Sequence, residues 1–398
     1  MNVLRPLQSA VGAQRAVSSA ASVSSPASGS ALSLADLAAA SVAAAPRIRP
    51  YVRRTPLEDS PWLSGAGNCR AWLKLESEQV TGSFKARGAV NKLLSLSKAQ
   101  LATGLVTCST GNHALAFVHA ARAAGGPGVL ERALVYLPKT ASPVKVDKLR
   151  ARGAELALHG DDCLDAELEA QRVAVERGLV YVSPYNDYEI MAGQGTVSVE
   201  ILEQLQEEEQ RRAADIKQLP ADENAAELVV YVPVGGGGLI GGMAAVLKTA
   251  LGARVRVVGC QPAASDVMRQ SVAAGRIVEA ASGDTLSDAT AGGVEEGAVT
   301  LGPCIDGVDE WVCVSEQEIA DAVLSVLRAH SKLVEGAAGC AVAAFWRQRR
   351  QLAGKRAVVL CCGGNISVEA LKTVLERGRV LSADAEVDRA AEEQSVNG

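Results

Sequence analysis

Aromatic side chains are scarce: three Phe, four Trp and six Tyr stand in a chain of 398 residues. Apolar residues still make up 48% of it, so the core must be assembled from Ala, Val and Leu, and disorder of the whole chain is excluded. Histidine is rarer, with four in all, and none of the nine cysteines (69, 108, 163, 260, 304, 313, 340, 361 and 362) forms a Cys-x-x-Cys pair. An odd set of thiols without ligand spacing excludes a disulfide framework and a structural zinc site, and reads as a reduced compartment. Basic charge is not in excess either: 40 Lys and Arg against 45 Asp and Glu give a net charge of −5. That is the wrong sign for binding phosphate backbones, so nucleic acid is not expected as a partner.

A membrane span is also missing. Residues 228–247 carry no charge and have the length of a bilayer crossing, yet six of the 20 are Gly and one is Pro233. The run divides into a β-branched strand (LVVYVPV), a glycine turn and a helix start (LIGGMAAVLK), and no membrane partner is expected. Residues 1–30 lack Lys and acid but hold two Arg and eight Ser. They read as an organelle transit peptide, chloroplast or mitochondrion, with a disordered tail on a cytoplasmic protein as the alternative. Order is expected from Ser33, where Ser33-Leu-Ala-Asp36 looks like a capping box opening an Ala-rich helix that Pro46 and Pro50 end.

What the chain does contain is alternation. CRAWLKLE, GLVTCS, RALVYLP, AELALHG, GLVYVS, ELVVYVPVGG, RVRVVGCQP, EWVCVS and RAVVLCCGG alternate with helical patterns, which predicts an α/β protein with mostly parallel, covered sheets. In such sheets ligands lie at the carboxyl ends of strands. The stretch from Glu203 to Glu227 reads as a helix end and a solvated loop without chemistry.

Four motifs sit where strands end. Thr81-Gly-Ser-Phe-Lys85-Ala-Arg-Gly88 places a lysine at a turn into a helix; alone it reads as a surface lysine. Ser109-Thr110-Gly111-Asn112-His113 is a polar turn opening a helix, either an anion site or a plain N-cap. Gly235, Gly236, Gly237 and Gly238 follow a buried strand, and each costs about 0.5–1 kcal/mol relative to Ala. They suit several backbone amides wrapping one phosphate. The run has no Gly-Lys-Ser/Thr ending, so it is not an ATP-type loop. Leu360-Cys361-Cys362-Gly363-Gly364-Asn365 is another strand end, and its adjacent thiols point to opposite faces. Together the four make a parts list for pyridoxal phosphate: imine partner, ring-hydroxyl partner, phosphate cradle and ring-nitrogen partner.

In this order and spacing TGSFKARGA, STGNHA, AGQGT (192–196), PVGGGGL and CGGN resemble the serine/threonine dehydratase and serine racemase family of pyridoxal 5'-phosphate enzymes, the tryptophan-synthase-β fold type, also called fold type II. The resemblance implies two open, mostly parallel sheets covered by helices. A large cofactor-binding domain (31–103 and 187–381) would carry an inserted, mobile small domain (104–186), followed by an acidic tail (382–398). Lys85 would hold the cofactor as a Schiff base, Phe84 would line the ring pocket and Asn112 would bond the ring hydroxyl. Gly235, Gly236, Gly237, Gly238 and Leu239 would bind the phosphate, and Cys362 would face the ring nitrogen. Ser109, Thr110, Gly111, Asn112 and His113 would take the substrate carboxylate. Lys85 is the implied catalytic base. Thr110, implied as catalytic too, stands where racemases of the family place a serine hydroxyl on the opposite face.

The implied activity is that of an L-threonine/L-serine ammonia-lyase, giving a 2-keto acid and ammonia, with serine racemase or 3-hydroxyaspartate ammonia-lyase as alternatives. An amino-acid-sensing pseudoenzyme is the non-enzymatic one. β-Replacement is set aside because that branch carries a Thr-bearing phosphate turn where this chain has GGGGL. A homodimer or homotetramer acting on a small amino acid is implied. No metal is expected, since a Gln, Gln261, stands where members that bind a cation carry a Glu, although Ser265 and Asp266 are nearby. The short tail after residue 381 leaves no room for a regulatory domain, so feedback control by isoleucine is not expected.

Overall fold

The computed structural model describes residues 33–141, 143–161, 163–215 and 226–382. The expected transit peptide over 1–30 and the acidic tail beyond residue 382 lie outside the described residues. The first helix, Leu34–Ile48, is capped as its sequence predicts: Ser33 Oγ accepts from the Asp36 amide at 3.1 Å. The predicted stop at Pro46 does not occur. Pro46 lies in the last turn, where it removes a single backbone bond, and burial of Ala44 and Ile48 carries the helix past it.

Ten strands follow among the described residues: β1 (Leu57–Asp59), β2 (Arg70–Leu75), β3 (Leu105–Cys108), β4 (Ala133–Leu137), β5 (Glu155–Leu158), β6 (Val180–Tyr181), β7 (Leu228–Pro233), β8 (Val255–Pro262), β9 (Glu310–Val314) and β10 (Arg356–Cys361). They form two open sheets, in the orders β1-β2-β10-β7-β8-β9 and β5-β4-β3-β6. Only β1 runs antiparallel to its neighbour. It is also the strand with no sequence signal, because three residues (LED) are too few to show a period. The central strands β7 and β10 are buried throughout, as parallel strands covered on both faces must be.

Helices cover both sheets, and small residues let them approach closely. In the helix Tyr188–Asp215 a Cβ on Gly193 would lie 2.6 Å from the Gly88 Cα, and in the helix Gly238–Leu251 a Cβ on Gly242 would lie 2.2 Å from the Met191 carbonyl oxygen. The AGQGT motif is therefore a packing motif, which sets the helix Lys85–Ser95 against its neighbour.

Charge reinforces that position. Arg87 is 1% exposed and sits between two carboxylates, 2.7 Å from Glu76 and 2.8 Å from Glu200, while Lys74 reaches Glu200 at 2.7 Å. The acids of the 203–215 segment are not an idle solvated face: Glu207, Glu208 and Glu209 pair with Arg54, Arg70 and Arg356.

Candidate active site

All four motifs follow carboxyl ends of parallel strands: β2 leads to Lys85, β3 to residues 109–113, β7 to the glycine run and β10 to Cys362. The helices that begin there, at Lys85, Asn112 and Gly238, have no side-chain cap. Elsewhere Ser33, Ser60, Ser97, Ser315 and Ser367 cap their helices. Helices without caps leave their first amides to other acceptors, and those amides favour anions. Ser109, readable as an N-cap, instead takes the Gly111 amide at 3.2 Å within the turn. Thr110 lies beside it, partly exposed.

Lys85 donates from Nζ to the Pro184 carbonyl at 2.7 Å and lies 5.3 Å from the centre of the Phe84 ring. The Phe84 amide is tied to the Cys362 carbonyl at 3.0 Å, which joins the lysine turn to the end of β10. Burial pulls the Lys85 amine down to about 8, against the opposing pull of Cys362 and Glu335. Burial also lifts the Cys362 thiol well above its ordinary value, so it stays neutral. Two hydroxyls flanking this turn, Thr81 Oγ1 and Ser83 Oγ, are buried without a hydrogen-bond partner.

The glycine run answers to the chain's own packing as well as to an anion. A Cβ at Gly236 would stand 2.4 Å from the Tyr185 ring, and one at Gly238 would stand 2.8 Å from the Tyr185 carbonyl oxygen. Gly237 has φ +85°, a conformation that disfavours any side chain. Tyr185 is fixed in turn by the Glu295 amide, which donates to its hydroxyl at 2.9 Å.

Two residues had no assigned role in the sequence. Glu335, 3% exposed, accepts from Asn112 Nδ2 at 2.9 Å and from the Asn365 amide at 3.1 Å, and lies 3.9 Å from Cys362 Sγ. Burial raises its carboxyl to about 7, opposed by the Asn112 bond. A single Glu ahead of an Ala/Gly-rich helix carries no signal that could have singled it out. Asn365, the last letter of CGGN, bonds Asn112, Thr81, Lys148 and Glu335. His113 spends its imidazole on the Val182 carbonyl at 3.1 Å, and burial beside the Lys85 charge lowers it to about 3. It is neutral, and only its backbone remains to serve the turn.

Near the glycine run the acceptors are taken: Gln261 Oε1 accepts from the Arg269 amide at 3.0 Å, and Asp266 pairs with Arg269 and Gln270. Among the described residues no group of three or more His, Cys, Asp or Glu is placed to hold a metal. Nor is any helix there long and apolar enough to cross a membrane.

The donor set fits pyridoxal phosphate. A desolvated amine suits an aldehyde, helix amides without caps at Gly238 suit a phosphate, and two buried hydroxyls lack partners beside the lysine. Comparison with known proteins agrees: a family model described as pyridoxal-phosphate dependent enzyme matches residues 48–363. An L-threonine ammonia-lyase of Geobacter sulfurreducens is 37% identical over 338 residues, 84% of this chain and 77% of that protein. One from Thermotoga maritima is 36% identical over 335 residues, with the same coverage of 84% and 77%. Among solved structures, the processed form of threonine deaminase isoform 2 from Solanum lycopersicum superposes with a TM-score of 0.73 at 27% identity, covering 86% of this chain and 93% of that one. Maize serine racemase superposes at 0.72 with 30% identity, covering 85% and 96%.

Proposed function

We propose, starting from the fact that this chain belongs to the pyridoxal-phosphate dependent enzyme family, that it is an ammonia-lyase converting L-threonine or L-serine to a 2-keto acid and ammonia. The observation that carries this reading is the place of Lys85, whose Nζ donates to the Pro184 carbonyl at 2.7 Å and whose turn is tied to the end of β10 through the Phe84 amide and the Cys362 carbonyl; burial there lowers its amine. The relatives named L-threonine ammonia-lyase support the same chemistry.

When bound, pyridoxal phosphate supplies the electron sink that makes the α-hydrogen of an amino acid removable. The chain's residues do the rest. Lys85 Nζ anchors the cofactor at rest and, uncharged, takes the α-proton. The amides of the Ser109–His113 turn hold the substrate carboxylate at a helix N-terminus, which orients the α-hydrogen toward Lys85. Gly235 to Gly238 and Leu239 would hold the phosphate, Phe84 would border the ring and Asn112 would bond the ring hydroxyl. Cys362 would face the ring nitrogen as a neutral thiol, a weak proton donor. The small-sheet unit, 104–186, closes over the substrate in this reading. The acid-free Ser/Ala/Arg leader supports import into an organelle.

Racemisation is the second reading, favoured by the Thr110 hydroxyl in the substrate turn and by the likeness to maize serine racemase. A keto-acid assay on purified protein with L-threonine and L-serine, joined to chiral analysis of recovered serine, separates the two. Keto acid from wild type and none from Lys85→Ala is expected. Equal turnover by both proteins would remove the proposal.

A further inference from the structure

Asn112 has one amide to offer the pocket, and a side-chain amide has two unlike ends. Its NH2 end only donates and its carbonyl end only accepts, so a ring oxygen that has given up its proton, and can therefore only accept, is served by the NH2 end alone. Which end faces the pocket is decided by neighbours, and Asn365 is the neighbour that decides it.

The partners of Asn365 leave it one orientation. Lys148 Nζ, which can only donate, stands 2.9 Å from Asn365 Oδ1. The Thr81 carbonyl, which can only accept, stands 2.9 Å from Asn365 Nδ2. The carbonyl end of Asn365 is thereby turned to Lys148 and its NH2 end to Thr81, and the second hydrogen of that NH2 goes to Asn112 Oδ1 at 2.7 Å. With its oxygen occupied, Asn112 directs Nδ2 to the buried Glu335 carboxylate at 2.9 and 3.0 Å; the two oxygens lie close together on one side of that nitrogen, so one of its two hydrogens serves both and the other is left for the pocket. The Asn365 backbone amide binds the same carboxylate at 3.1 Å. Packing leaves the side chain little freedom, because a Cβ on Gly82 would lie 2.9 Å from its amide. The arrangement joins the two sheets: Asn112 and Lys148 belong to the four-stranded unit, and Thr81, Glu335 and Asn365 to the six-stranded one.

We infer that Asn365 is a positioning residue that fixes the side-chain amide of Asn112 with its donor end toward the cofactor, held in that role by Lys148 and the Thr81 carbonyl. The inference rests on the proposed contact between Asn112 and the ring hydroxyl. Asn365→Asp keeps the shape and removes both N–H groups. Carboxylate oxygens then face Asn112, which satisfies them by turning its own NH2 inward and its carbonyl toward the pocket.

The test uses full-length protein stripped of cofactor and titrated with pyridoxal phosphate, followed by affinity and by the visible absorption spectrum. Asn365→Asp and Asn112→Asp should each weaken cofactor binding about tenfold, the scale of one hydrogen bond to a charged partner. Both should change the ratio of the visible bands in the same sense, and the double variant should be no weaker than either single one, since the residues act as a unit. Asn365→Ser, which releases Asn112 without adding charge, carries the same expectation and serves if the Asp variant does not fold. Wild-type affinity and spectrum in Asn365→Ser, or additive losses in the double variant, overturn the inference while Asn112 keeps its place. A silent Asn112→Asp removes the Asn112 contact itself and the inference with it.

Discussion

Cofactor capture by the stripped protein should follow the titration of a single amine. Burial places the Lys85 amine at about 8, where an ordinary lysine has 10.5. At pH 7 about one molecule in eleven then carries an uncharged Lys85, against roughly one in three thousand for an exposed lysine, so capture should be faster by at most about 300-fold. The rate should rise about tenfold per pH step at low pH, bend near 8 and level off, because only the uncharged amine attacks an aldehyde. Stopped-flow absorbance after mixing with pyridoxal phosphate between pH 6 and 10 measures it. Lys85→Ala reports the background from surface lysines, which should keep climbing toward pH 10. A wild-type profile that still climbs at pH 9, or one matched by Lys85→Ala, would refute the claim that the site desolvates this amine.

Arg87→Met should destabilise the protein by about 3–5 kcal/mol, because it strands Glu76 and Glu200 in the interior; denaturant midpoints check this, and a loss under about 1 kcal/mol would mean that water reaches the pair. Gly236→Ala should cost about 1–3 kcal/mol and weaken cofactor binding, since a Cβ 2.4 Å from the Tyr185 ring forces the ring off the turn; thermal melts and cofactor titration read both. Glu335 carries a sign that can be tested. Its folded value of about 7 exceeds the ordinary 4.5, so the folded state holds its proton more tightly. The stability it contributes is complete below about pH 4.5 and is lost as pH rises through 7, a change of about 3 kcal/mol. The stability of stripped wild type minus that of Glu335→Gln should fall between pH 5 and pH 8, and a flat difference would contradict a buried, raised carboxyl.

Much of this was legible along the chain because it depends on local order. Period and breaker residues reveal the parallel strands, the division of 228–247 into strand, turn and helix, and the turns that end β3, β7 and β10. Their sequential spacing identified the family. The Ser33 cap was readable for the same reason, since donor and acceptor lie three residues apart. Pro46 is a stop signal in the sequence that the helix overrides, because burial of Ile48, a tertiary effect, outweighs one lost backbone bond.

Other features exist only once distant segments meet. Glu335 and Asn112 are 223 positions apart, and Lys148 and Asn365 are 217 apart; no local pattern encodes a pair so separated. The sequence by itself determined the layered α/β architecture, the lysine, and the turns that can receive an anion. Tertiary structure alone decided how those groups are tuned, because burial and neighbouring charge set proton affinities and hydrogen-bond polarity. The same holds for the glycine run, where the ring of Tyr185, brought in from the other sheet, excludes a Cβ that the linear sequence could only assign to a phosphate.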